Sequence, residues 1–278
     1  MTNKEVNAAI RESLGLPPKS EPQPTVPQEG HICDFPIWSY SKKRSTLTKL
    51  TITYEDGSFF QLEAPKGLPG VSSPGYLDIL LYFGQRDLFR QNYIEISAYS
   101  VMKHLQIDPE HGSSYQNFVR DMERNFALMM KTDRFIDPVT KQRTYVTYFR
   151  VLDTMKLAKT RKGTSRFYFN QVFLESLRSG YLKRLDFDFC LYLDRETQPL
   201  ARFLYAHLLK RIGQKSVYTR KLTGFLNDIG LGYVAKLETK RLNEMVKRSL
   251  IPPLDLVKGQ AVSHYEIDGD GNLVFFHT

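Results

Sequence analysis

Residues 97–126 read SAYSVMKHLQIDPEHGSSYQNFVRDMERNF, and their apolar spacing decides the fold class. Ser97 can cap a helix that turns Val101, Met102 and Leu105 to one side, because its hydroxyl can accept from a free amide of the first turn. Beyond Asp108-Pro109, Ser113 and Ser114 precede Tyr115, Phe118, Val119, Met122 and Phe126, the three-and-four spacing of another amphipathic helix. Upstream, Leu77, Leu80, Leu81 and Leu88 share the face of a helix begun near Pro74, and 93–96 is a short extended piece. Downstream, 144–152 and 166–169 alternate like strands and are joined by a basic stretch around Lys162-Gly163. Three helices followed by a basic hairpin is the order of a winged helix-turn-helix unit.

The order recurs. Residues 186–193 alternate like a strand, and Pro199 opens a helix through Leu200, Phe203, Leu204, His207 and Leu208. A second helix over 218–229 places Leu222, Phe225 and Leu226 inward, and Gly230 and Gly232 break the chain before a third, 235–250, that buries Leu242, Met245 and Val246. Pro252 and Pro253 stop it. A hairpin follows, 262–267 and 273–276, turning at Asp268-Gly269-Asp270-Gly271-Asn272. Leu81-Tyr82 matches Leu204-Tyr205, Met102 and Leu105 match Leu222 and Phe225, and Phe118 matches Leu242, at near-equal spacings, as an internal duplication would leave them. The expectation is an α+β chain of two winged helix-turn-helix domains in tandem, 31–180 and 181–278. Within the first, 50–54 and 59–62 form a hairpin about Asp56-Gly57. Residues 1–30, with Pro17, Pro18, Pro22, Pro24 and Pro27 among polar neighbours, read as a flexible, disordered N-terminal tail in which 5–16 could form one short helix.

The 278 residues carry 39 Lys and Arg against 30 Asp and Glu, a net charge of +9, and the excess is concentrated. Lys156, Lys159, Arg161, Lys162, Arg166, Arg178, Lys183 and Arg184 stand against the single acid Glu175; Arg202, Lys210, Arg211, Lys215, Arg220 and Lys221 stand against none. A concentrated positive strip suits a phosphate-backbone partner, whose condensed counterions it releases. No apolar run is long enough to cross a bilayer and the first residues lack the layout of a secretory signal, so a cytoplasmic protein with no membrane partner is expected. Two cysteines, Cys33 and Cys190, exclude a disulfide framework.

Catalytic constellations are missing. None of the six histidines stands in a His-x-His or His-Glu-x-x-His pair, and no Gly-x-x-x-x-Gly-Lys segment exists to cradle a triphosphate. Asp268, Asp270 and Asn272 imitate the start of a calcium loop that lacks its closing Glu, and Asp186 and Asp188 read as one solvated strand face. No metal, no cofactor and no enzymatic activity are expected.

The residues expected to meet DNA fall in four groups. Lys236, Lys240, Asn243 and Lys247 recur at spacings of four, three and four along one stripe, where Lys and Asn can read base edges in a major groove. Ser216, Tyr218, Thr219, Arg220 and Lys221 supply hydroxyl and basic groups to the helix before it. Gln116, Asn117, Arg120 and Arg124 are the counterparts in the first unit, diluted by Asp121 and Glu123; that helix contacts DNA weakly or supports dimerisation. Lys159, Arg161, Lys162 and Arg166 surround Gly163 in the first hairpin, a wing able to reach phosphate or a minor groove.

Three stretches carry a resemblance: Leu77-Asp78-Ile79-Leu80-Leu81-Tyr82, the segment from Gly112-Ser113-Ser114-Tyr115 to Asp121-Met122-Glu123-Arg124, and Pro199-Leu200-Ala201-Arg202-Phe203-Leu204-Tyr205. Over roughly 70–250 the sequence resembles plasmid replication initiator proteins of the tandem winged-helix type, the replication initiator protein A group; 125–137 departs from that pattern. The resemblance implies binding to repeated origin sites on double-stranded DNA, local duplex opening, recruitment of the host replication initiator and helicase machinery, and a homodimer that represses its own gene. A winged-helix transcriptional repressor and a nucleic-acid enzyme with a dispersed site remain the alternatives.

Overall fold

The structure, a computed structural model, describes residues 24–38, 46–88, 90–137, 140, 142–143, 145–213 and 215–277. The helix expected at 5–16 lies outside them. The first strand, β1 (Thr25–Glu29), falls within the stretch expected to be tail. It pairs antiparallel with a strand over 150 residues later, from Thr25 opposite Asp186 to Glu29 opposite Leu182, and Val26 is fully buried. Residues 25–29 are therefore fold and not tail; proline and polar composition misled because a distant strand, invisible locally, supplies the pairing. A 3-10 turn (Ile32–Asp34) follows.

β2 (Lys49–Thr53) and β3 (Phe59–Glu63) form the expected hairpin, with Gly57 at φ +77° in its turn. Then come α1 (Ser73–Leu88), β4 (Tyr93–Ser97), α2 (Ala98–His104) and α3 (Gly112–Ala127). The Ser97 hydroxyl accepts the Ser100 N–H at 3.1 Å, opening α2 as its position predicts. Gly84 lets α1 lie directly against β4, since a Cβ there would collide with Ile94. β5 (Met129–Thr132) and β6 (Thr147–Phe149) extend the first hairpin into a four-stranded sheet of order β2-β3-β5-β6. β7 (Leu152–Lys156) and β8 (Thr164–Phe169) pair with β4 in the order β4-β8-β7, and α4 (Gln171–Arg178) leads to β9 (Leu182–Asp186), the partner of β1.

The expected strand over 186–193 is a helix, α5 (Phe187–Arg195), capped by Asp186, whose carboxylate accepts the Phe189 N–H at 3.1 Å. Phe187, Phe189, Leu191 and Leu193 alternate because this helix is buried almost all round, not because the chain is extended. Asp186 and Asp188 thus share no strand face. α6 (Pro199–Ile212) follows, then β10 (Val217–Lys221), α7 (Leu222–Asp228), α8 (Gly232–Ala235), α9 (Thr239–Ser249), α10 (Ile251–Val257), β11 (His264–Ile267) and β12 (Asn272–Phe276).

The second sheet runs β10-β12-β11, so in both halves a strand between two helices pairs with the last strand of a later hairpin. The landmark pairs of the sequence fall on α1 and α6, α2 and α7, and α3 and α9, with Leu105 as the residue that caps the end of α2. One buried apolar cluster runs through both halves, from Val26 through Phe118, Phe167 and Phe203 to Phe275. No helix among the described residues is long and apolar enough to cross a membrane.

Candidate nucleic-acid interface

α9 owes its position to three residues. Val246 is buried, while Leu242 and Met245 are half-buried against the core, leaving a wide outer arc. Lys240, Asn243 and Lys247 lie exposed on that arc, as their spacing predicts. Lys236 is exposed but is not on this helix: it caps the end of α8, and α9 starts only at Thr239. The expected single helix over 235–250 is two helices joined by a short connection, and Gly230, at φ +74°, makes the turn that precedes them. Pro252 and Pro253 do not end the structure either; they open α10, where a missing amide costs nothing in the first turn.

The arc is more basic than its stripe. Arg241 and Arg248 are exposed on the same helix, and Tyr233, 64% exposed, stands just before it on α8. The stripe of four missed these three, although so few apolar residues on α9 leave nearly every other side chain facing out. Among the described residues none of Lys236, Lys240, Arg241, Lys247 and Arg248 has an ion-pair partner, and Glu244 is the one acid on α9.

The residues placed ahead of this helix sit differently from expectation. Tyr218, Thr219, Arg220 and Lys221 belong to β10 rather than to a helix over 218–229, and Ser216 immediately precedes it. Tyr218 stacks on Phe275 across the sheet. Arg220 is engaged inside the protein: Nη1 donates to Glu55 at 2.6 Å and Nε to Asp228 at 3.0 Å. Ser216, Thr219 and Lys221 are exposed, Lys221 capping the N-terminus of α7.

That engagement extends to most of the basic run from Arg202 to Lys221. Arg202 is buried against Asp78 of α1, Nε to Oδ2 3.0 Å. Asp34 gathers Lys210 at 2.6 Å, Arg211 at 3.2 Å and the His207 ring at 3.3 Å. Burial alone would raise the Asp34 carboxyl, but Lys210, His207 and Arg211 hold it well below the usual carboxylate range. Four of the run's six cations thus pair with acids of the same chain, Asp78, Asp34 and Glu55 far away in sequence and Asp228 close by, and the electrostatic footprint is narrower than local counting suggests.

In the first unit, Gln116, Asn117 and Arg120 are exposed on α3, with Arg120 donating to the Asn117 side chain at 2.8 Å. Arg124 is turned back, Nε donating to the Lys66 carbonyl at 3.1 Å. The hairpin tip carries Lys159 in the open, while Arg161 donates to the Pro109 carbonyl at 2.6 Å and pairs with Glu110 at 3.4 Å. Lys162 lies 3.6 Å from Glu110 and over the Tyr99 ring, and Arg166 pairs with Glu95 on the adjoining strand. The tip is therefore tied to the α2–α3 connection, and its cations are partly spent. The structure brings Lys159, Arg161 and Lys162 together at one end of the first sheet, and Lys240, Asn243 and Lys247 together on α9.

Comparison with solved structures places this architecture. Domains 2 and 3 of RctB superimpose with a TM-score of 0.53 at 12% identity, covering 85% of this chain and 94% of that one. The Pi initiator protein in complex with iteron DNA gives a TM-score of 0.51 at 10% identity, covering 84% of this chain and 98% of that one. The chain shares the fold of these two structures. The likeness spans most of both chains, in agreement with the resemblance read from residues 70–250, and at such identities it is a likeness of fold. No protein-family model matches the sequence, and a comparison with curated proteins finds no match.

Proposed function

We propose that the chain is a sequence-specific replication initiator that binds double-stranded DNA through two winged-helix units, with α9 as the principal reading helix. One observation carries this: in a fold shared with solved initiator structures, α9 presents around Asn243 four exposed cations, Lys240, Arg241, Lys247 and Arg248, without ion-pair partners among the described residues. Asn can bridge the N6 and N7 edge of adenine, and the cations flanking it can hold phosphate. β11 and β12 then form the second wing, and the tip at Lys159–Lys162 the first. Binding to repeated origin sites, opening of the duplex, recruitment of the host initiator and helicase, and a self-repressing dimer complete the proposal, with the cytoplasm as the compartment and no catalysis by the chain itself.

Footprinting of the purified protein on DNA flanking its own gene tests the reading. Several evenly spaced protected repeats are expected. One isolated palindrome would point to a repressor, and nicking of supercoiled DNA or nucleotide hydrolysis in the same incubation would point to an enzyme.

A further inference from the structure

A cavity of about 230 Å³ lies where the start of α1 meets the C-terminal ends of α2 and α5, with Ser72, Leu105, Gln106 and Ile107 on one side and Asp194, Arg195 and Thr197 on the other. Gln106 at φ +56° and Thr197 at φ +51° are the two non-glycine residues with a left-handed backbone among those described, and both line it. That conformation costs energy in any residue with a Cβ, most of all in a β-branched one. Each turn closes its helix, the Ile107 N–H donating to the Met102 carbonyl and the Gln198 N–H to the Leu193 carbonyl, both at 2.9 Å. Two helix C-termini, the negative ends of their dipoles, are thus brought to one place.

Asp194 is the buried polar wall of this cavity. Its Oδ2 lies beside the Leu105 side chain: a Cβ at Gly75 of α1 would stand 2.9 Å from the one and 2.7 Å from the other. Neither carboxyl oxygen has a hydrogen-bond or ion-pair partner among the described residues. Asp78 and Asp194 share one buried cation, Arg202, and its ion pair is with Asp78. The group is short of one positive charge.

We propose that this cavity binds a small organic molecule through a primary ammonium group, which supplies the missing charge to Asp194 and donates its other hydrogens to the carbonyls that end α2 and α5. An ammonium has three donors and no acceptor, which matches a wall made of a carboxylate and carbonyls. Leu105 and Ile107 give the apolar chain behind it a surface to cover. A metal ion is a poorer fit, because no group of three or more His, Cys, Asp or Glu side chains gathers among the described residues. Arg195, exposed at the rim, repels a second positive charge, so a single ammonium with a neutral or acidic far end suits the site better than a polyamine. None of its residues belongs to α9, and the proposal does not rest on DNA binding.

Butylammonium chloride, titrated into the full chain at constant ionic strength and followed by proton–nitrogen NMR, tests it. Saturable shifts are expected at the Gly75, Gln106 and Thr197 amides, with Overhauser contacts from the butyl chain to the methyl groups of Leu105 and Ile107. Asp194→Asn keeps the shape of the side chain and removes its charge, and should weaken binding on the order of tenfold or more. n-Butanol, the same chain without the charge, should give no saturable shift at these amides. Butylammonium should also raise the Tm of the parent and leave that of Asp194→Asn unchanged, since a ligand of the folded state stabilises it by mass action. Shifts scattered over exposed acids, an equal response to butanol, or an unchanged affinity in Asp194→Asn would overturn the proposal. So would the absence of contacts to Leu105 and Ile107 in the parent, a result that depends on no variant.

Discussion

Asp78, Asp194 and Arg202 are buried together with one positive charge among them. Arg202 is committed to Asp78, whereas both Asp194 oxygens lack a hydrogen-bond partner among the described residues. Burial pushes the Asp194 carboxyl well above its usual range, and the pull of Arg202 does not reverse it. The folded state therefore holds the Asp194 proton more tightly than the unfolded state does, whose pKa is about 4. Stability linked to Asp194 is complete below roughly pH 4 and is lost as pH rises toward the folded value. Asp194→Asn removes the linkage, so urea denaturation should find it at least as stable as the parent at pH 7, with the advantage shrinking toward pH 4. Asp78→Asn should behave oppositely, losing about 3–5 kcal/mol at neutral pH because it strands the Arg202 charge. Two variants of equal stability would contradict this division of roles. None of it is legible locally: Asp78 and Arg202 are 124 positions apart, and in sequence Arg202 counts as one more surface cation.

At the scale of elements, α3 and α9, matched in the sequence by Phe118 and Leu242, differ in charge. On α3, Arg124 is bonded back to the Lys66 carbonyl and Asp121 is buried; on α9 the cations are exposed and have no ion-pair partner among the described residues. Asn243→Ala should cost on the order of 1–3 kcal/mol at a cognate repeat while leaving random DNA unaffected. Lys162→Ala should weaken both alike and only slightly, because that ammonium is already shared with Glu110. If α9 contacts about five phosphates, log K should fall against log salt with a slope near roughly −4.5, and Lys240→Ala should lessen it by about one. Retention of full cognate affinity by Asn243→Ala would move the reading role to α3. The helices were legible wherever an apolar stripe met a cap, as at Ser97 or Pro199. β10 and α5 were not, because a short strand and a fully buried helix both lack the half-polar period that sets strand and helix apart.

The whole molecule is joined at three charged points that cross between the halves of the chain. Asp78 meets Arg202, Glu55 meets Arg220, and Asp34 draws in His207, Lys210 and Arg211, while β1 pairs with β9 and the Lys210 ammonium also donates to the Gly30 carbonyl. The segment read as tail is thus a strap holding α6, and α6 stands at the head of the unit that carries α9. Composition could not show this, since the acids lie at least 124 positions from their cations. Asp34 gives the strap a pH dependence of definite sign. Its carboxyl is depressed on folding, so the stability it supplies is present above the unfolded value of about 4 and is lost as acid protonates it. Asp34→Asn should remove that contribution at neutral pH, leave the two proteins closer in stability at low pH, and flatten the acid limb of a thermal-melt series. Limited proteolysis at neutral pH should then cut the variant within 24–38 sooner than the parent, because a strap deprived of its carboxylate is held mainly by the pairing of β1 with β9. Equal cleavage rates, with an acid limb unchanged from the parent, would show that the strand pairing alone secures the segment.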